Sequence, residues 1–341
     1  MKLLRTTLSG LAGTAMLAAA TFAGSPASAQ EGGYLLATAG TGGTYYPVGV
    51  AIATLVKVKL ENSNGISMSA ITSAGSGENV KLLRENQAQF AIIQGLWGAY
   101  ASRGEGPLAE DGVQGNLRAI TMLWPNVEHF TIRSEYADTG TIDDLVAMEG
   151  HGFAIGARNS GTEGSNRHIL AGLGIEDADT YFELAFVGYT PSVEAFQNGT
   201  IDALNPTAGV PVGAMTQLMA QVGDEATILA FTDEQVERAN GGYTLWTPYV
   251  IPAGTYPGQE EDVRTIAQPN FLAVNADVDE EHVYLITKAI YENLPFLVNI
   301  HPATGAMSLD SALAGLPLPL HPGAVRYFEE AGVDVPDSLR P

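Results

Sequence analysis

The sequence predicts an α/β protein of two lobes, and three observations carry that expectation. Short apolar runs alternate with stretches of helical spacing along most of the chain, the pattern of parallel strands covered by helices. The 341 residues exceed the roughly 250–300 at which a single hydrophobic core stops growing, and 45% of them are hydrophobic against 16% charged, enough to fill more than one core. Finally, the turns that follow the strand candidates are rich in Gly, Ser and Thr in both halves of the chain.

Taken in order, the chain opens with a basic pair, Lys2 and Arg5, before an apolar stretch from Leu8 to about Ala23 and the small residues Ala27-Ser28-Ala29. This is the layout of a cleaved secretory signal over residues 1–29, too short and Gly-interrupted for a membrane span. An exported, periplasmic product is expected, beginning near Gln30 and without a lipidated cysteine. Tyr34–Ala37 reads as the first strand, and a helix beginning near Pro47 carries Val48, Ile52, Leu55 and Val56 on one face. Ile66–Ile71 is the second strand, followed by a helix through Asn79–Glu85. Phe90–Ile93 is continuous apolar, as a strand buried on both faces should be.

The second half repeats the pattern. Gly152–Gly156, Phe182–Val187 and Ile201–Leu204 read as strands, with helices near Gly164–Leu173, Ser192–Gln197 and Val212–Gln221. A long helix is expected over Glu280–Asn293, ending before Pro295, and a last one starts at Pro322, which suits a first helical turn. One lobe is placed at 31–126 plus 230–341 and the other at 127–229. The crossovers are placed near Glu128–Arg133 and Phe271–Val274.

Composition excludes several functions. There is no cysteine, which removes disulfides, thiolate nucleophiles and Cys-ligated metals. A formal net charge of -22, with no Lys/Arg cluster, argues against a nucleic-acid partner. Removal of Lys2 and Arg5 with the leader takes that figure to -24. No Gly-x-Ser-x-Gly elbow is present, and the 6 histidines show no pairwise metal-ligand spacing. Acidic pairs such as Asp143-Asp144 and Glu329-Glu330 read as solvated helix faces. No catalytic residue, metal or cofactor is expected.

What remains is the set of turns at strand ends, where open α/β sheets bind ligands on the free N–H groups of helix starts. These are Thr38–Pro47, Thr72–Asn79, Gln94-Gly95, Arg158–Glu163, Tyr189–Ser192 and Asn205–Gly209. Each has a plain structural reading as well. Gly40-x-Gly42-Gly43 is a tight turn that fits neither the dinucleotide nor the P-loop pattern, and Ser160-x-x-Glu163 is a capping box. Gln94 differs, because a polar residue closing an apolar strand needs a partner. Facing sets of such turns in both halves describe a clamp for a small anion.

The same residues resemble a known family. Thr41-Gly42-Gly43-Thr44-Tyr45-Tyr46-Pro47 resembles the opening motif of the TAXI family, the solute-binding subunits of TRAP transporters. Ser76-Gly77-Glu78-Asn79, Phe90–Gln94, Gly104–Pro107, Ser160–Glu163, Gly199–Ala203, Ile251–Gln259 and Leu318–Ala324 are similar to further family segments in order. The resemblance implies a type II-like periplasmic-binding-protein fold with a ligand cleft between its lobes. It also implies delivery of a small carboxylate or amino acid, such as glutamate or 2-oxoglutarate, to TRAP membrane permease subunits, without chemistry on the ligand. A monomer is expected. Carried over residue by residue, the ligand-binding candidates are Thr41, Gly42, Gly43, Thr44 and Tyr45; Ser76 and Asn79; Gln94; Ser160, Gly161 and Thr162; and Thr207. Arg158, a lone cation beside a helix start, is a departure from the family and is expected to pair with a second ligand carboxylate. The other expectation within transport is a subunit of an ABC-type system or a periplasmic sensor.

Overall fold

The computed structural model describes residues 32–341. The expected leader lies outside the described residues. No helix among them is long and apolar enough to cross a membrane.

The first half builds one sheet. Strand β1 (Gly33–Ala37) leads through a Gly/Thr turn into helix α1 (Tyr45–Asn64). That helix buries Val48, Ile52, Leu55 and Val56 as its spacing requires. It stops at Gly65, whose φ of 71° is a left-handed cap that glycine adopts without strain. Next come β2 (Ser67–Ile71), α2 (Ser76–Arg84), β3 (Phe90–Gln94) and α3 (Gly95–Arg103). All five residues of β3 are buried, as its apolar run predicts. Strand β4 (Leu117–Val127) then carries the chain out of this sheet.

The second half begins with β5 (Thr131–Arg133), followed by α4 (Ile142–Val146), β6 (Gly152–Ala154), α5 (Gly161–Gly172), α6 (Ala178–Tyr181) and β7 (Glu183–Ala185). It continues with α7 (Tyr189–Gln197), β8 (Ala203–Leu204), α8 (Gly213–Val222), β9 (Ala226–Ile228) and α9 (Asp233–Asn240). The chain returns through β10 (Thr247–Ile251) and β11 (Val263–Asn275) and closes with α10 (Glu280–Tyr291), α11 (Leu294–Ile300) and α12 (Pro322–Glu330).

Two sheets result. The larger runs β10-β11-β3-β1-β2, with β4 also paired to β11, and the smaller runs β7-β6-β8-β5-β9. The β-α-β units pair in parallel, β1 with β2 and β3, and β6 with β7 and β8. Strands β4 and β11 pair antiparallel at the junction of the sheets. The chain leaves the larger sheet between Val127 and Thr131. On its return, the beginning of β11 touches the smaller sheet's side of the molecule: Glu128 donates its N–H to the Ile266 carbonyl at 2.9 Å, and Phe231 donates to that of Arg264 at 2.8 Å. Phe271–Val274, expected at the crossover, pair instead with β3 and β4 inside the larger sheet. The long helix ends at Tyr291, and Pro295, expected only to terminate it, sits in the first turn of α11, where a missing N–H costs nothing.

Helices cover the smaller sheet on two sides. Val193, Phe196, Met215 and Leu218 of α7 and α8 belong to one apolar cluster, while Ile169, Leu170, Val236 and Ala239 of α5 and α9 belong to another that is continuous with the larger sheet's core.

Candidate ligand-binding site

A cavity of about 130 Å³ opens where the two sheets face each other. Four helices begin on its wall. Thr44 and Tyr45 start α1, Gly75 and Ser76 start α2, Ser160 and Gly161 start α5, and Gly188 and Tyr189 start α7, and all eight residues line the space. The first N–H groups of a helix have no intrahelical acceptor, and each helix start carries roughly half a positive charge. Two of the helices come from each side of the cleft. Among the described residues, no Asp, Glu, Lys, Arg or His lines the cavity. The positive potential is therefore supplied by backbone alone, and an acidic protein needs no cationic side chain to offer an anion a site.

The two sides touch around this cavity. Gln94 at the end of β3 donates from Nε2 to the Gly161 carbonyl at 2.7 Å. The Glu78 N–H donates to the Asn159 carbonyl at 3.1 Å, and Thr44 Oγ1 to the Gly209 carbonyl at 3.1 Å. Glycine makes these approaches feasible. A Cβ on Gly161 would lie 2.7 Å from Gln94 Oε1 and 2.9 Å from Ser76 Oγ, and one on Gly77 would lie 2.5 Å from the Asn159 carbonyl oxygen. The structure is thus a closed clamp.

Most of the sequence-derived candidates come together here. Gly42, Gly43, Thr44, Tyr45, Ser76, Gln94, Ser160, Gly161, Thr162 and Thr207 all line the cavity. Three do not. Thr41 is exposed and faces an adjoining groove. Asn79 is buried behind the wall, donating to the carbonyls of Thr38 at 2.7 Å and Ile92 at 2.9 Å and accepting from Ser73 Oγ at 2.6 Å; it fixes the turn after β2. Arg158 is exposed, with its guanidinium 3.7 Å from the centre of the Phe186 ring, so stacking holds it away from the space it was expected to reach. Of the two functions of Ser160, the capping one is realised: its Oγ accepts from the Glu163 N–H at 3.0 Å.

Four residues were not among the binding candidates, although Tyr189 stands in one of the strand-end turns and Glu128 and His129 in an expected crossover. Tyr189 lines the cavity; its hydroxyl donates to the Thr207 carbonyl at 2.5 Å and so accepts from Thr162 Oγ1 at 2.7 Å. Burial pushes that phenol well above its ordinary pKa, keeping it a donor. Asn126, at the end of β4, also lines the cavity. Behind it stands Glu128, fully buried, accepting from Thr207 Oγ1 and Asn205 Nδ2 at 2.7 Å each and from Trp246 Nε1 at 2.9 Å. Burial raises its pKa, and these donors work against that rise. His129 beside it is held neutral, its pKa lowered to about 4 by burial; Tyr256 donates to its Nε2 at 2.8 Å and its Nδ1 reaches the Val127 carbonyl at 2.9 Å. Pro125 hid Asn126 from the sequence reading by interrupting the strand pattern. In the structure it lies opposite Pro269 of β11, so the two missing N–H groups share one register position.

Solved structures share this architecture. A protein from Bordetella bronchiseptica RB50 superposes with a TM-score of 0.51 at 14% identity, over 90% of this chain and 91% of that one. A protein from Xanthomonas citri, bound to ATP, gives 0.50 at 15% identity over 89% and 97%. The periplasmic aliphatic sulphonate binding protein SsuA from Escherichia coli gives 0.45 at 12% over 90% and 95%. The fold is that of the two-lobed periplasmic binding proteins. Within it, the chain belongs to the NMT1-like family, whose model matches residues 36–332.

Proposed function

We propose that this protein is an extracytoplasmic solute-binding subunit that captures a small carboxylate by closing its two lobes and hands it to a membrane permease of the TRAP type. The observation that supports this most is the convergence of four helix starts, two from each side, on a cavity without a charged side chain. Such a wall stabilises an anion through backbone N–H groups. Backbone N–H groups of α5 and α7 complete the set only when the lobes meet, which couples capture to closure. The order of TAXI-like motifs along the chain supports the TRAP assignment over an ABC-type partner or a sensor.

A thermal-shift screen of the purified protein against organic acids and amino acids tests the reading. A ligand at 100 times its dissociation constant adds about 2.7 kcal/mol of stability, a rise of several degrees in Tm. Stabilisation by a small carboxylate supports the proposal. Stabilisation by neutral or cationic solutes alone, or by none of the panel, counts against it. A gene adjacent to a TRAP permease supports the transporter type, and one adjacent to an ATPase subunit reassigns it.

A further inference from the structure

Tyr189 and Thr190 are neighbours in sequence but stand on opposite sides of a partition. Tyr189 lines the ligand cavity, Thr190 lines a second space of about 420 Å³, and Gly42 and Gly43 line both. The partition is a seam in which the Gly42-Gly43 turn from one side of the cleft meets the first residues of α7 from the other. The fit is close. A Cβ on Gly43 would lie 2.9 Å from Cε2 of the Tyr189 ring, and one on Gly42 would lie 2.8 Å from Thr190 Oγ1.

The ring is held in place. Its hydroxyl donates to the Thr207 carbonyl at 2.5 Å and accepts from Thr162 Oγ1 at 2.7 Å, both on its own side of the cleft. It therefore travels with that side as a fixed wall and seats against Gly43 when the clamp closes. With its one proton given to Thr207, it offers the cavity a ring and not a donor.

We infer that Tyr189 sets the length of the bound solute. A solute that fits behind the ring lets the seam close, and one that reaches past it props Tyr189 off Gly43. The inference rests on the carboxylate-binding reading and narrows it to short acids. The space behind the ring is about 130 Å³, below the roughly 300–1,000 Å³ of pockets that enclose drug-sized ligands. The space beyond it is larger, and Pro47, Pro211, Ala214 and Pro302 give it an apolar lining suited to a hydrocarbon chain. The ring, and not a lack of room outside, keeps a longer acid from being held.

Isothermal titration of the purified protein with two straight-chain series tests this: acetate, propionate, butyrate, hexanoate and octanoate, and succinate, glutarate, adipate and suberate. Without a wall, each methylene buried tightens binding about fourfold. With the ring in place, affinity in the series that binds should break against that trend, falling at least tenfold before its longest member. Tyr189→Ala should move the break to longer chains, raising affinity for the longest acid at least tenfold over wild type, a gain that a merely structural role for the ring would not give. Wild-type affinity that climbs to the end of the series, or an alanine variant that breaks where wild type does, overturns the inference and leaves carboxylate binding intact. The wild-type series alone decides the first of these, so the test does not depend on the variant folding. Heat from no acid in either series overturns the carboxylate reading and this inference together.

Discussion

Gln94 and Gly161 are joined across the cleft by a 2.7 Å hydrogen bond from the glutamine Nε2 to the glycine carbonyl. The same pair sets how near the lobes can come, because any Cβ at residue 161 would meet Gln94 Oε1 and Ser76 Oγ. Closure therefore requires that residue 161 have no side chain.

Gly161→Ala should hold the clamp open. The three atoms nearest the new methyl group all belong to the opposite lobe, so stability without ligand should stay within about 1 kcal/mol of wild type. Affinity for the ligand found in the screen should fall by at least tenfold. Small-angle scattering should show a radius of gyration that no longer shrinks on ligand addition. Unchanged affinity in this variant would remove the link between closure and binding.

Glu128→Gln addresses the buried carboxylate at the junction of the sheets. Its three partners donate to it, and an amide can accept with only one of its two terminal atoms. One or more buried donors lose their acceptor, for a loss of about 1–3 kcal/mol in stability, read by denaturant unfolding. Thr207, which lines the cavity and donates to Glu128, should lose its fixed rotamer, weakening ligand binding as well. A Gln variant as stable as wild type would show that the network is indifferent to this charge.

His129 predicts a pH dependence with a definite sign. Its pKa falls from 6.5 unfolded to about 4 folded. The unfolded chain therefore takes up a proton before the folded one does, and stability is lost as pH drops from 6.5 toward 4. The loss amounts to about 3 kcal/mol across that window. Glu128, with its folded pKa raised, acts in the opposite sense in acid, so the histidine's share is read as the difference between wild type and His129→Gln. Parallel stability curves for the two proteins between pH 6.5 and 4 would contradict the assignment.

Arg158→Ala should leave ligand affinity within about twofold of wild type. The guanidinium rests on Phe186 and is exposed, so its removal uncovers an aromatic ring without touching the cavity wall. A tenfold loss of affinity for diacids only would return Arg158 to the site.

The sequence displayed the parallel β-α-β units clearly, because strands such as Phe90–Ile93 are buried on both faces and read as continuous apolar runs. It displayed the strand-end turns for the same reason: little else in the chain concentrates Gly, Ser and Thr. It concealed β4 and most of β11, whose prolines at 125 and 269 break the strand signal in isolation and make sense only when the two are seen opposite each other. Asn126 was hidden along with them, whereas Glu128 and His129 were placed at a crossover without a role in the site. Arg158 misled for another reason. Proximity in sequence to Ser160 and Gly161 says nothing about which way a long side chain turns, and Phe186, 28 residues later, decides it.

The central question is whether a small carboxylate, and not a neutral or cationic solute, is what the closed clamp holds. Isothermal titration of the wild-type protein with the acid selected by thermal shift settles this. The predicted result is saturable 1:1 binding that disappears when the carboxylate is replaced by its amide. Binding that survives that replacement undiminished would contradict the account.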